Sequence, residues 1–207
     1  MVAGGVVCFL LVVGAGLPAF AALVTVFGVV WASTRFGYRR KQRLGTAERK
    51  DGRTASQVLA NLATPAICAV LYASTGKAMS VVAMAAALAE AAADTVSSEV
   101  GQATGRTPRL ITTWQSVPIG TDGAVSLAGT AAGIVGALLV AAVCVSSQLV
   151  GIRESVIILA AAVIGMFADS VLGAWVERRG LLNNDAVNFL STVIAAVVAA
   201  GMSLVVN

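Results

Sequence analysis

AEAAADTVSSEVGQATGRTPRLITTWQSVPIGTDGAVSLAGTAAG, residues 89–133, interrupts a chain that otherwise consists mainly of Ala, Val, Leu, Ile and Gly. Its first part places three carboxylates at the end of an apolar helix, and a loop rich in Gly and Thr with two arginines follows. The chain then returns to apolar sequence. Because charged groups are costly in apolar surroundings, we expect the chemistry of the protein in this stretch.

The composition predicts an all-α, polytopic membrane protein that forms a single integral membrane domain. Of the 207 residues, 58% are hydrophobic and only 12% are charged, whereas a soluble domain carries about 25% charged residues. The apolar runs are continuous rather than alternating, which favours helices over a β-barrel, because every backbone polar group must be paired within lipid. Frequent Gly and Ala suit close helix–helix approach in lipid.

The apolar runs predict six to seven transmembrane helices. Residues 2–34 would make one straight helix of about 50 Å, which is too long for a hydrocarbon core of about 30 Å. The sequence GAGLP at 14–18 offers a break, so we expect a short segment at 2–15 and a helix at 18–34. A short first segment also suggests partner helices, as in a homo-oligomer. The remaining helices are predicted at 56–73, 79–100, 124–146, 155–175 and 186–206.

Basic residues predict the orientation of the chain. Loops 35–53, 101–121 and 177–185 fall on one side and contain twelve of the 14 Lys and Arg residues, while the other side has Lys77 and Arg153. The positive-inside rule therefore predicts that these loops lie in the cytoplasm. We expect the membrane to be the plasma (inner) membrane of a prokaryote. The basic 35–53 loop is a topology anchor, and it could also attract anionic substrate or lipid headgroups. Because the basic residues are concentrated in the 35–53 loop, the net charge of +4 does not indicate a nucleic acid partner.

The carboxylates in the fourth helix are candidate metal ligands. Glu90 and Asp94 share one helix face, Glu99 is offset from it, and Asp169 lies near the same membrane face at the end of the sixth helix. Two carboxylates on one face repel each other unless a positive group lies between them. A divalent cation is one such partner. An ion pair with Arg106, Arg109 or an arginine of the first loop, and a proton or ion path, are the alternatives.

The metal, if present, is expected to have oxygen ligands. The chain contains no His, and its three cysteines (Cys8, Cys68 and Cys144) have a spacing that fits no metal site. These facts favour Mg²⁺ or Mn²⁺ over Zn²⁺.

The 101–126 stretch has the residue types of an anion site. Arginine guanidinium groups and threonine hydroxyls suit phosphate oxygens, and a Gly-rich turn before a helix offers free backbone N–H groups. Such a turn can also be an ordinary connection, and the P-loop pattern is absent. The candidate phosphate-binding residues are Arg106, Arg109, Thr112, Thr113, Gly120, Thr121, Asp122, Gly123 and Ser126.

Three amides and one carboxylate form a third group of candidates. Gln57 and Asn61 lie one turn apart in the third helix and are either interhelical contacts or one wall of a substrate cavity. Asp185 and Asn188 are placed similarly at the start of the last helix, although Asp185 is also a candidate N-cap.

Several motifs together resemble a known family. They are R-x-x-x-Q-V-L-A-N (53–61), A-A-A-D-T-x-S-S-E-x-G (91–101), P-R-L-I-T-T (108–113), V-P-x-G-T-D-G-x-V-S (117–126), D-S-x-L-G-A (169–174) and N-N-D-x-V-N-F (183–189). Over residues 35–207 the chain resembles the integral membrane family that includes transmembrane protein 19 and the plastid phytyl-phosphate kinases of vitamin E synthesis. The order of features is also distantly similar to that of the CTP-dependent phytol and dolichol kinases.

The resemblance implies transfer of a phosphoryl group from a nucleoside triphosphate, CTP or ATP, to an isoprenyl monophosphate such as phytyl or geranylgeranyl phosphate, giving the diphosphate. The implied catalytic residues are Asp94, Glu99, Arg109 and Asp169. The implied ligands of Mg²⁺ or Mn²⁺ are Glu90, Asp94, Glu99 and Asp169. The implied substrate-binding residues are Arg53, Gln57, Asn61, Asp185 and Asn188.

An alternative function uses the same carboxylates differently. A proton- or cation-coupled transporter of lipids or small molecules would use Glu90, Asp94 and Asp169 as an ion path. The transporter predicts carboxylates spread in depth across the membrane, whereas the kinase predicts them gathered at the cytoplasmic face.

Overall fold

The computed structural model describes residues 2–48, 52–104 and 107–206. Six helices in these ranges are long and apolar enough to cross a membrane. This number agrees with the prediction of an all-α, polytopic membrane protein with six to seven transmembrane helices. The helices are α1 Val2–Arg35, α2 Tyr38–Leu44, α3 Ala55–Thr75, α4 Ala78–Thr104, α5 Leu127–Ser146, α6 Ile152–Leu172 and α7 Asn184–Val206. A π-helical turn, Gly173–Glu177, continues α6, and short strands β1 Arg109–Leu110 and β2 Ala124–Val125 pair antiparallel.

The first helix, α1, shows the predicted break and consists of two helical segments joined at a kink. Only Gly16 leaves the helical conformation, with φ of 77°, and glycine adopts positive φ because it has no Cβ. Pro18 follows in the next turn, where a missing N–H is tolerated. The predicted break between segments 2–15 and 18–34 is therefore confirmed, because two helical segments meet at a kink at Gly16 within α1.

The centre of the bundle is α4, which packs against α1, α3, α5, α6 and α7. Its residues from Val81 to Ala93 are all buried. Small residues allow the neighbouring helices to approach closely. A Cβ on Gly133 of α5, for example, would lie 2.6 Å from the carbonyl oxygen of Ala93.

Three predicted helix starts differ from the structure by two or three residues. The fifth helix begins at Leu127 rather than at residue 124, because Ala124 and Val125 pair with β1 and Ser126 caps the helix by accepting a hydrogen bond from the Gly129 N–H (3.1 Å). The sixth begins at Ile152 rather than at residue 155. The last begins at Asn184.

The alternative of an Asp185 N-cap is wrong. Asn183 accepts the hydrogen bond from the Ala186 N–H at 2.9 Å, which is the interaction that defines an N-cap side chain. Asp185 instead accepts a hydrogen bond from the Ser56 hydroxyl across the gap between α3 and α7.

Candidate active site

A polar cavity of about 250 Å³ lies at the end of the bundle where the three large loops meet. Its walls come from the start of α3, the end of α4, the end of α6 with its π-helical turn, the start of α7 and residues 119–126. All three loops that the basic residues assign to one membrane side contribute to it. The predicted residues that line it are Arg53, Gln57, Asn61, Asp94, Glu99, Gly120, Thr121, Asp122, Gly123, Ser126, Asp169 and Asn188.

Two carboxylates from different helices meet in the deepest part of the cavity. Asp94 of α4 and Asp169 of α6 interact electrostatically, and Glu90, one turn deeper in α4, interacts with both. Within the described part of the chain, neither oxygen of Glu90 nor Oδ2 of Asp169 has a hydrogen-bond partner, although Ser191 lies near both residues. Buried polar atoms without partners are uncommon in proteins, so these oxygens are suited to binding something else.

Close helix packing makes room for the deepest carboxylate. A Cβ on Gly165 of α6 would lie 2.5 Å from Cγ of Glu90. Glycine is therefore required there to admit the Glu90 side chain between α4 and α6. Glu90 is only 1% exposed and lies beneath the cavity rather than on its wall.

A second acidic pair lies nearer the cavity mouth. Glu177 of the π-helical turn interacts electrostatically with Asp122 and Asp94. We did not predict Glu177 as a site residue, because it was assigned to the third loop. Its spacing was an available signal, since Asp169, Gly173 and Glu177 recur every four residues and so share a helix face. A π-helical turn at such a point is frequent at functional sites.

The glycine turn at 120–123 is held between the first loop and α6. Gly120 and Gly123 have φ of 87° and 71°, values that residues with a Cβ rarely adopt. A Cβ on Gly123 would lie 2.3 Å from the Ala174 nitrogen, and one on Gly120 would lie 2.6 Å from Cγ2 of Thr46. The two glycines therefore allow the turn to bring Asp122 against the end of α6.

Arg53 is the only positively charged side chain among the described residues of the cavity wall. Its Nη2 donates to Oγ1 of Thr95 at 3.3 Å, and its charge acts on Asp94. The next residue, Thr54, caps α3 in a capping box with Gln57. The capping box fixes the start of α3 and thereby the position of Arg53.

The amides on the cavity wall bond within their own helix. Nδ2 of Asn61 donates to the Gln57 carbonyl at 2.9 Å, and the Gln57 side chain accepts from the Thr54 N–H at 2.7 Å. Asn188 lies across the cavity on α7. None of these hydrogen bonds joins α3 to α7, so the arrangement favours the cavity-wall interpretation over interhelical contacts.

Glu99 forms a buried ion pair with Lys41, the one salt bridge among the described residues. Lys41 is fully buried and also donates to the carbonyls of Ser33 (3.1 Å) and Thr34 (2.8 Å) at the end of α1. A cation is favourable at a helix C-terminus. The structure thus pairs Glu99 with a lysine of the basic 35–53 loop, which was predicted as a topology anchor. The alternative of an arginine of this loop acting on Asp94 is met in part by Arg53, whose charge acts on Asp94 without forming a salt bridge among the described residues.

Four other predicted residues, Arg109, Thr112, Thr113 and Asp185, do not line the cavity. Arg109 is exposed and donates from Nη1 to the Trp114 carbonyl at 2.8 Å. Thr112 is exposed, and Thr113 accepts from the Gln115 N–H. Asp185 bonds Ser56, and Arg106 lies outside the described residues.

The described side chains do not form a complete metal cage, since no group of three or more His, Cys, Asp or Glu residues has the required geometry in residues 2–48, 52–104 and 107–206. Such a cage is not needed for Mg²⁺, which is usually held by one or two carboxylates together with water and substrate phosphates. The cavity is therefore suited chemically to a cation that arrives with a phosphorylated ligand.

Comparison with known proteins identifies the family. Residues 1–196 match the family described as integral membrane protein DUF92, so the match includes α1 as well as most of the predicted 35–207 region. The chain is 33% identical over 201 residues to the uncharacterized membrane protein MJ0933 of Methanocaldococcus jannaschii, covering 96% of this chain and 82% of that protein. It is 33% identical over 192 residues to the uncharacterized membrane protein sll0875 of Synechocystis, covering 90% and 74%.

A plant relative is equally similar. The chain is 33% identical over 194 residues to the protein VTE6, chloroplastic, of Arabidopsis thaliana, covering 89% of this chain and 58% of the relative. No solved structure matches the chain. The family resemblance indicated by the motifs is thus confirmed, and the chain belongs to the DUF92 family of integral membrane proteins.

Proposed function

We propose that the protein is a membrane kinase that transfers the γ-phosphoryl group of CTP or ATP to an isoprenyl monophosphate such as phytyl or geranylgeranyl phosphate. The observation that carries the proposal is the polar cavity, where Asp94, Asp169 and Arg53 meet the glycine turn at 120–123 at one end of the bundle. Phosphoryl transfer depends mainly on positioning and charge neutralisation, and the cavity offers residues for both. The similarity to VTE6 and the motifs shared with the phytyl-phosphate kinase family support it further.

The carboxylates fit Mg²⁺ or Mn²⁺. Asp94 and Asp169 bring oxygen ligands together from two helices, and Oδ2 of Asp169 is buried without a partner among the described residues. These two residues would hold the ion, with Glu90 beneath them, and the bound ion would neutralise phosphate charge. Glu99 was predicted as a fourth ligand, but its ion pair with Lys41 favours a role in fixing the ends of α1 and α4.

The remaining cavity residues would orient the two phosphorylated substrates. Backbone N–H groups of the glycine turn, other than that of Thr121, which bonds the Pro118 carbonyl, and the guanidinium of Arg53 would bind phosphate oxygens. Asn61 and Asn188, on facing helices, would bind the acceptor phosphate. An oxygen of this monophosphate forms the new bond to the γ-phosphorus as the bond to the β-phosphate oxygen breaks, and the nucleoside diphosphate leaves. Because the acceptor is already anionic, no strong base is required, in agreement with the absence of His.

The arrangement favours the kinase over the transporter. Asp94, Asp122, Asp169 and Glu177 all line one cavity, whereas an ion path requires acidic groups spread across the membrane. Glu90 lies only one helical turn deeper than Asp94. We propose further that the cavity faces the cytoplasm at the plasma membrane of a prokaryote, as the distribution of basic residues indicates, and that a homo-oligomer can form.

The test is a transfer assay with the purified full chain in detergent. Phytyl or geranylgeranyl monophosphate is incubated with Mg²⁺ and CTP or ATP labelled in the γ-phosphate, and the lipid product is separated by chromatography. We expect label in the isoprenyl diphosphate and little in reactions given the corresponding alcohol. Absence of labelled lipid with both nucleotides and both acceptors, from protein that elutes as a single folded species, would contradict the kinase assignment.

A further inference from the structure

The short helix α2 separates its basic side chains into two groups. Lys41 points inward and is fully buried, while Arg39, Arg40 and Arg43 of the same helix are exposed. Arg35, at the end of α1, is exposed as well and its guanidinium lies 4.3 Å from the centre of the Trp31 ring. We call Arg35, Arg39, Arg40 and Arg43 the basic patch.

The basic patch is held in a fixed position against the bundle. Gly37, which starts α2 with φ of 62°, lies so close to α4 that a Cβ there would be 2.6 Å from Cβ of Ala103. Lys41 ties the other side of α2 to Glu99 and to the last carbonyls of α1. Since α2 is anchored on its inner face, its arginines are directed away from the protein.

The arginines of the patch have no charge partner in the described part of the chain, where Lys41–Glu99 is the one salt bridge. The patch directly follows a candidate membrane span, so we expect it at the level of the lipid headgroups. Trp31, which is 59% exposed, lies next to the patch, and tryptophan is enriched at the interface between lipid and water. If lipid headgroups surround the patch, its uncompensated positive charge is complementary to anionic ones.

We infer that the basic patch is a binding site for anionic phospholipids of the surrounding bilayer. Guanidinium groups bind phosphate oxygens through paired hydrogen bonds, and several arginines next to a span attract anionic lipid more strongly than zwitterionic lipid. The patch is continuous along the chain with Thr46 and Glu48, which line the polar cavity. The inference does not depend on the proposed kinase activity.

The inference can be tested by native mass spectrometry of the detergent-solubilised full chain, titrated with phosphatidylglycerol or phosphatidylcholine. We expect tighter binding of phosphatidylglycerol by the unmodified protein. In R39Q/R40Q its apparent dissociation constant should rise by about tenfold or more, with phosphatidylcholine binding unchanged. R39K/R40K, which keeps both charges, should retain most of the preference and shows whether a loss reflects charge or folding.

A matched control removes two other exposed charges from the same membrane side. R178Q/R179Q, in the loop after α6, should bind phosphatidylglycerol as the unmodified protein does. Equal losses in both double variants would overturn the site, because the effect would then follow net charge. Displacement of the lipid by inorganic phosphate would overturn the inference in favour of a site for free anions. The variant Arg53→Gln tests the polar cavity, and loss of phosphatidylglycerol binding in this variant alone would place the lipid in the cavity instead.

Discussion

Helices α1 and α4 are both long and apolar, yet they occupy opposite environments. In their most apolar 18-residue stretches, α1 has a mean hydropathy of 2.5 and α4 of 1.5, while 28% of the residues are buried in α1 and 83% in α4. The more hydrophobic helix is thus the more exposed one. Phe9, Phe20, Phe27 and Trp31 of α1 face outward, whereas alanine is the most frequent buried residue of α4.

The comparison shows how a membrane protein selects its core. Lipid solvates large apolar side chains as well as a protein interior does, so hydrophobicity does not drive α1 inward. Small side chains instead allow α4 to contact five other spans, and the same helix can carry carboxylates because its neighbours shield them from lipid. Four predictions test this difference, from the largest expected effect to the smallest.

Removing charge from α4 should have the largest effect. Asp94→Asn keeps the shape of the side chain but removes the charge proposed to hold the metal and nucleotide phosphates, so the initial rate of lipid phosphorylation should fall by about 100-fold or more. The matched control is Glu154→Gln, in the first turn of α6 at the opposite membrane face, which should retain the rate of the unmodified protein. Undiminished transfer by Asp94→Asn would exclude a role of the Asp94 charge in phosphoryl transfer.

The junction between α1 and α4 should be the next most sensitive point. Lys41→Met leaves Glu99 buried without its partner, which should lower the free energy of unfolding by about 3–5 kcal/mol. The double variant K41M/E99M should recover part of this loss because no unpaired charge remains. Arg43→Met, exposed on the same helix, serves as the control. Unfolding in increasing SDS measures all three, and a loss in K41M no larger than in R43M would show that the ion pair contributes nothing.

Adding one methyl group should distinguish the packed core from the lipid-facing helix. In Gly133→Ala the new Cβ would lie 2.6 Å from the Ala93 carbonyl oxygen and 2.7 Å from Sδ of Met166, so overpacking should cost about 1–3 kcal/mol. Gly28→Ala in α1 meets no atom within 4 Å and should be neutral or stabilising, since alanine favours helix. Thermal unfolding of both variants in one detergent provides the measurement. The comparison fails if the two midpoints shift equally.

The smallest effect is expected where α3 meets α7. The hydroxyls of Thr64 and Thr192 hydrogen-bond at 2.8 Å, and such bonds within membranes contribute about 0.6 kcal/mol on average. Thr64→Val, Thr192→Val and the double variant form a cycle whose interaction energy isolates the hydrogen bond. A coupling energy above about 2 kcal/mol in SDS unfolding would contradict this prediction, because the hydrogen bond would then contribute far more than the average for membrane helices.

The sequence supported most of the candidate site because its signals are local. Asp94 and Asp169 stand out as acidic residues in apolar surroundings, Asp122 belongs to the predicted glycine turn, and loop sidedness placed all three at one membrane face. Glu177 was missed because it was assigned to the third loop, whereas the π-helical turn continues α6 as far as Glu177, whose charge interacts with that of Asp122. Arg109 was included for its residue type, but the strand pairing of β1 leaves it exposed on the loop surface.

By itself, the sequence determined the membrane class, the helical architecture, the common side of the three large loops and most of the acidic residues at the site. These follow from hydropathy, from helical spacing and from the cost of charge in lipid, which act over short stretches of chain. Only the tertiary structure decided that Lys41 turns inward to meet Glu99, 58 residues away, while its neighbours turn outward. Such pairing depends on how closely two helix ends approach, and that distance is set by the packing of small residues across the whole bundle.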